Sequence, residues 1–153
     1  MLCFFVGHRN ANIQLMPQLE ATIKEHICDY SVTDFVAGQY GAFDRMAARA
    51  VINAKKMFPE ISLTILLPYH PAEREIHAPK GYDSTFYPPG LELVPRRLAI
   101  VRANQYMIMK SDYLIAYAWQ PGSNATALLN YAQSREIKKQ LHITNLALSK
   151  KFI

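Results

Sequence analysis

Leu2-Cys3-Phe4-Phe5-Val6-Gly7-His8-Arg9 is the stretch that decides how this chain folds. Its first five residues are apolar without interruption, which suits a strand buried on both faces, and Gly7 marks a turn. Such a strand belongs inside a parallel sheet that helices cover on either side. The rest of the chain repeats the alternation. Leu15, Leu19, Ile23 and Ile27 recur at helical spacing and predict an amphipathic helix over about 13–28. Residues 33–37 form a second apolar strand, stopped by Gly38. Met46, Ala50, Ala54 and Met57 mark the next helix, which Pro59 ends, and its alanines allow close approach to a sheet. Residues 62–67 are a third strand, closed by Pro68.

From 68 to about 94 no clean period survives. Pro68, Pro71, Pro79, Pro88 and Pro89 are interspersed with aromatics, and a connection that long is either functional or flexible. Val94, Leu98, Val101 and Ile108 then mark a helix with Pro95 at its first position. Residues 113–119 make a fourth strand, followed by a Gln-Pro-Gly-Ser-Asn turn. Ala125, Leu128, Leu129 and Ala132 form another helical stripe, and 140–146 a fifth strand before a short basic tail. Strands alternating with helices predict an α/β domain with a mainly parallel sheet. No repeat or internal boundary divides residues 1–153, so one domain is expected.

Composition narrows the function classes. Half of the 153 residues are hydrophobic and 19% charged, so a packed globular chain is expected and a disordered one is not. The apolar runs at 1–6 and 113–119 fall far short of the ~20 residues that span a bilayer. The chain opens without a secretory signal, and Cys3 and Cys28 are too few for a disulfide scaffold, so reduced thiols and a cytoplasmic location are expected. The net charge of +5 permits an anionic partner. Its basic pairs (Lys55-Lys56, Arg96-Arg97, Lys138-Lys139, Lys150-Lys151) are scattered, as on an ordinary solvated surface.

In parallel α/β sheets ligands bind at the carboxyl ends of the strands. Three glycine-bearing corners lie there: Gly7-His8-Arg9-Asn10, the run Gly38-Gln39-Tyr40-Gly41-Ala42-Phe43-Asp44, and Pro121-Gly122-Ser123-Asn124-Ala125-Thr126. Each feeds a helix whose first N–H groups lack intrahelical partners and attract anions. Ser123 and Asn124 are good N-cap types, and Thr126 can present a hydroxyl. Asp44 suits either its helix dipole or a ligand hydroxyl. Arg9 leaves a buried strand directly and carries a fork suited to phosphate, whereas Arg96 and Arg97 sit at the wrong end of a dipole for cations. Ordinary strand-to-helix turns would show the same residues one loop at a time; three on one rim favour a ligand. A Gly-x-x-x-x-Gly-Lys-Ser/Thr loop, a Gly-x-Gly-x-x-Gly fingerprint and a Gly-x-Ser-x-Gly elbow are all missing. His70 and His77 lack companions at metal-ligand spacing, so no metal is expected.

On these residues the chain resembles the SLOG superfamily, named for DNA-processing Smf proteins and the Lonely Guy enzymes, and most of all its small stand-alone YpsA-like branch. Gly7-His8-Arg9, Gly38, Gly41-x-x-Asp44 with Ala47 and Ala48, Arg102-Ala103-Asn104, Ser111-Asp112, Gly122, Thr126 and Tyr131-Ala132 carry the resemblance. It implies a Rossmann-like three-layer domain of about five strands in the order 3-2-1-4-5. It further implies a nucleotide or nucleotide-derived ligand held by Gly7, His8, Arg9, Gly38, Gly41, Asp44, Arg102, Asn104, Gly122, Ser123, Asn124 and Thr126. One departure matters: Leu129 stands where the phosphoribohydrolases carry their glutamate, and Ser123 and Ala125 replace two glycines.

The expected function is therefore the binding or sensing of a nucleotide-derived small molecule, with no other cofactor. Backbone amides at 122–126, Arg9 and Arg102 would hold phosphate. Asp44 and Asn104 would serve local structure or touch sugar or base. Tyr82, Phe86 and Tyr87 would close over the ligand or form a satellite core. A nucleotide hydrolase using Asp44 or His8 is the first alternative. Single-stranded nucleic-acid binding is the second, and the absence of Lys and Arg from the aromatic loop 82–87 argues against nucleic acid as partner. A homo-oligomer is compatible with the sequence.

Overall fold

The computed structural model describes residues 1–138 and 140–149. Six parallel strands form one sheet: β1 (Leu2–Gly7), β2 (Asp34–Ala37), β3 (Ser62–Leu66), β4 (Ser84–Phe86), β5 (Tyr113–Tyr117) and β6 (His142–Asn145), in the order β4-β3-β2-β1-β5-β6. Helices α1 (Met16–Tyr30), α2 (Ala42–Lys55), α3 (Ala99–Lys110), α4 (Asn124–Ile137) and the short α5 (Leu146–Ser149) complete the chain. This is a Rossmann-like α/β fold.

The apolar run of β1 explains the layering. Cys3 and Phe5 point to one side and join Leu19 and Ile23 of α1 with Ala47 and Val51 of α2. Phe4 and Val6 point to the other and join Ala103 and Met107 of α3 with Leu128 and Ala132 of α4. Successive residues thus feed opposite cores, which only a strand in the middle of a covered sheet requires. β1 pairs with β2 on one flank and β5 on the other, bringing their carboxyl ends together.

The five expected strands keep their expected neighbours, and β4 extends the sheet beyond β3. Three residues are too few to show a period, so β4 was invisible inside the proline-rich connection. Asp83 anchors it: the Asp83 carboxylate accepts from the Leu63 amide and pairs with Lys55 at 2.7 Å. These partners hold its pKa below the ordinary value. The helix expected from Pro95 begins instead with a 3₁₀ turn at Arg96–Leu98, and α3 proper starts at Ala99. Arg96 and Arg97 therefore precede the α-helical dipole. Residues expected to open the basic tail form α5, while Lys139, Lys150 and Lys151 lie outside the described residues. Cys3 is buried and Cys28 exposed, both free. Among the described residues no helix is long and apolar enough to cross a membrane.

Candidate functional site

A cavity of about 240 Å³ opens at the carboxyl ends of β1 and β5. The first corner lines it with Gly7, His8, Arg9 and Asn10, the second with Tyr40 and Asp44, the third with Gln120, Ser123, Asn124 and Ala125. Asn104 of α3 closes the remaining side. The three corners converge, but they do not contribute alike.

The first two corners are locked to each other. The amides of Ala42 and Phe43, at the start of α2, donate to the carbonyls of Arg9 (2.9 Å) and His8 (3.3 Å). This N-terminus has been used to fasten β1 to α2 and is closed to phosphate. The interlock needs bare backbone: a Cβ on Gly7 would stand 2.2 Å from the Phe43 ring, and one on Gly41, whose φ is +126°, 2.9 Å from Arg9 Cα. Gly38 packs in the same way against the Asp44 carboxyl.

His8 fastens the third corner. Its buried ring accepts at Nε2 from the amides of Trp119 (2.9 Å) and Gln120 (3.3 Å), which puts the ring proton on Nδ1. Burial lowers its pKa and keeps it neutral. The lone pair that a general base would need is engaged, so the expectation that His8 could work as catalytic base is replaced by a positioning role.

The third corner stays open. Ser123 Oγ donates to the Gln120 carbonyl (2.8 Å) and accepts from the Thr126 amide (3.1 Å), capping α4. The Thr126 hydroxyl also turns inward to the Gln120 carbonyl (2.7 Å), so it braces the turn rather than facing a ligand. Gly122, at φ +77°, makes the bend. The amides of Asn124 and Ala125 have no acceptor among the described residues, and both residues line the cavity beside Arg9. Two unpartnered donors, a helix N-terminus and Arg9 thus lie at one cavity, a combination whose charge suits an anion.

Asp44 sits opposite. Desolvation pushes its carboxyl up to about 7, against the opposing pull of the Tyr40 amide (3.2 Å), Arg9 and Arg45. It lines the cavity. Leu129, in the place of the glutamate, is buried in the core under α4. Arg102 does not line the cavity; it lies exposed in a separate groove with Pro88, Tyr106 and Tyr131. Tyr82, Phe86 and Tyr87 stay outside it too: Phe86 packs on Tyr106 and Tyr87 meets His70.

Sequence reasoning missed Tyr40 and the cluster next to it. Tyr40 meets Tyr69 edge-on at 6.1 Å, and the guanidinium of Arg74 lies 4.6 Å from the centre of the Tyr69 ring. These residues come from different loops, and only the strand ends bring them together.

The geometry defines a Rossmann-like protein with a polar cavity at the carboxyl edge of its sheet. The chain is similar to a solved structure of DNA processing protein A from Helicobacter pylori, described for its single-stranded DNA binding mode. The TM-score is 0.54 at 14% identity; the match covers 95% of this chain and spans 66% of that one. The likeness is one of fold. No protein-family model and no curated protein matches the chain. The expectation that set nucleic acid aside is corrected by this finding, because a protein of the same fold binds single-stranded DNA. Its ground was the lack of Lys and Arg in loop 82–87, yet the arginines beside half-buried Tyr69 here come from residues 74 and 96.

Proposed function

We propose that this chain is a domain of the YpsA-like branch that binds single-stranded nucleic acid in the cytoplasm through a backbone phosphate. The observation that carries the reading is the pair of unpartnered amides of Asn124 and Ala125 facing the cavity that Arg9 also lines. The amides and the α4 dipole take the phosphate, Arg9 adds a bidentate contact, and Asn104 and Tyr40 stand at sugar and base. Gly7, Gly38, Gly41, Gly122, His8, Ser123 and Thr126 shape the cradle. Similarity in fold to a single-stranded DNA-binding protein supports the polymer over a free nucleotide.

Fluorescence anisotropy with a labelled oligothymidylate tests it. Binding at low salt, weakened about tenfold by Arg9→Ala and competed poorly by thymidine monophosphate, is the expected result. Equal binding by the variant removes the phosphate site. Competition by the mononucleotide at matched phosphate concentration makes the ligand a small molecule instead.

The carboxyl of Asp44 favours a second reading, a nucleotide hydrolase in which this group transfers the proton. Free base released from nucleoside monophosphates by the native chain, and lost in Asp44→Asn with oligonucleotide binding retained, would establish it. No release over a full panel excludes it.

A further inference from the structure

The anion cavity does not end at Tyr40. A narrow recess lined by Gly38, Tyr40, Asp44, Pro68 and Asn104 leads from it across the carboxyl ends of β2 and β3. Beyond Pro68 lies a second hollow of about 350 Å³, lined by Tyr69, His70, Tyr87 and Arg96 and by Glu73 and Glu92. Tyr40 lines the cavity and touches Tyr69, so one aromatic pair joins the two spaces.

Tyr69, which lines the second hollow with Arg96, has two guanidinium groups near its ring. Tyr69 is half-buried, with Arg74 at 4.6 Å and Arg96 at 5.2 Å from its ring centre. Arg96 is engaged by Glu73, at the exposed surface. Arg74 is exposed and has no carboxylate partner among the described residues. An exposed guanidinium over a tyrosine ring, without an acid to neutralise it, offers a stacking face and a free positive charge together. A nucleobase and its phosphate need that combination.

We propose that Tyr69, Arg74 and Arg96 form a second nucleotide subsite, in which Arg74, lying over Tyr69, stacks the neighbouring base and Arg96 holds the next phosphate. The inference rests on the reading of the first cavity as a phosphate site, and it extends that reading from one nucleotide to a short single strand running from β1 to β3. Arg96 reaches the phosphate by leaving Glu73, so the acid opposes binding and sets its strength.

Affinities for thymidine monophosphate and for the di- and trinucleotide, measured by calorimetry on the full chain and its variants, test this. The trinucleotide is expected to bind at least tenfold tighter than the mononucleotide. Tyr69→Leu and Arg74→Ala each lower that trinucleotide-to-mononucleotide ratio about tenfold, whereas Tyr69→Phe, which keeps the ring, preserves it. Glu73→Gln frees Arg96 and raises the ratio. A ratio near one in the native chain, or a ratio untouched by Arg74→Ala, overturns the second subsite. If Arg9→Ala still weakens binding of every ligand about tenfold in that case, the first site stands alone. If Arg9→Ala changes nothing either, both readings fall. Arg74 is exposed, so its variant decides the matter even where Tyr69→Leu disturbs the fold.

Discussion

Asp44 carries a carboxyl whose proton is held to about pH 7 in the folded chain and leaves near 3.8 when exposed. Between those values the folded state binds the extra proton, so this group stabilises the fold at pH 4 and loses that contribution as the pH rises to 7. Relative to Asp44→Asn, the native chain should therefore lose stability steadily over that range in urea titrations. Parallel curves for the two proteins would show that the carboxyl is solvated. His8, with its pKa lowered, slopes the other way in both proteins and cancels from the difference. Gly7→Ala tests the close approach to Phe43: a methyl 2.2 Å from a fully buried ring should cost about 1–3 kcal/mol or more in the same titration. At this scale the sequence showed which residues stand at the corners, but not how they are spent. The donors that engage the His8 ring lie more than a hundred positions away in Trp119 and Gln120, and no local pattern encodes them.

The elements differ in how openly they were written. β1 and β5 are continuous apolar runs, β2 and β3 are mostly apolar, and α4 announces itself with Pro-Gly, a capping serine and a stripe of small and apolar residues. β4 stayed hidden because its three residues pair with an edge and leave two of them exposed. The 3₁₀ turn before α3 shifted the helix by one turn, since Pro95 caps either kind of helix equally well. Of the helix starts, α4 is the one whose amides remain free at the cavity, and Asn124→Pro examines this directly. Asn124 follows an extended Ser123 and opens the helix, a position where proline fits and merely removes one N–H. The variant should keep its melting temperature within a few degrees and bind oligonucleotide about fivefold to tenfold more weakly, one charge-assisted hydrogen bond being lost. Ser123→Ala should instead cost about 1 kcal/mol of stability through the lost cap.

For the molecule as a whole, the sheet order brings together loops that the chain keeps far apart, with β1 in the middle and its neighbours leaving on opposite faces. The scattered arginines Arg9, Arg74 and Arg96 become one rim only through that topology, which is why net charge alone pointed nowhere. Two phosphates neutralised along this rim should give a slope of about −1.4 for log affinity against log salt with single-stranded DNA, and Arg9→Ala should flatten it by about 0.7. The most direct measurement is an amide nuclear magnetic resonance titration of the labelled chain with a thymidine trinucleotide. The Asn124 and Ala125 amides should show the largest backbone shifts, with those of Ala42 and Phe43 nearly still. Shifts concentrated at the start of α2, or absent from Asn124 and Ala125 at saturation, would contradict the open cradle at α4.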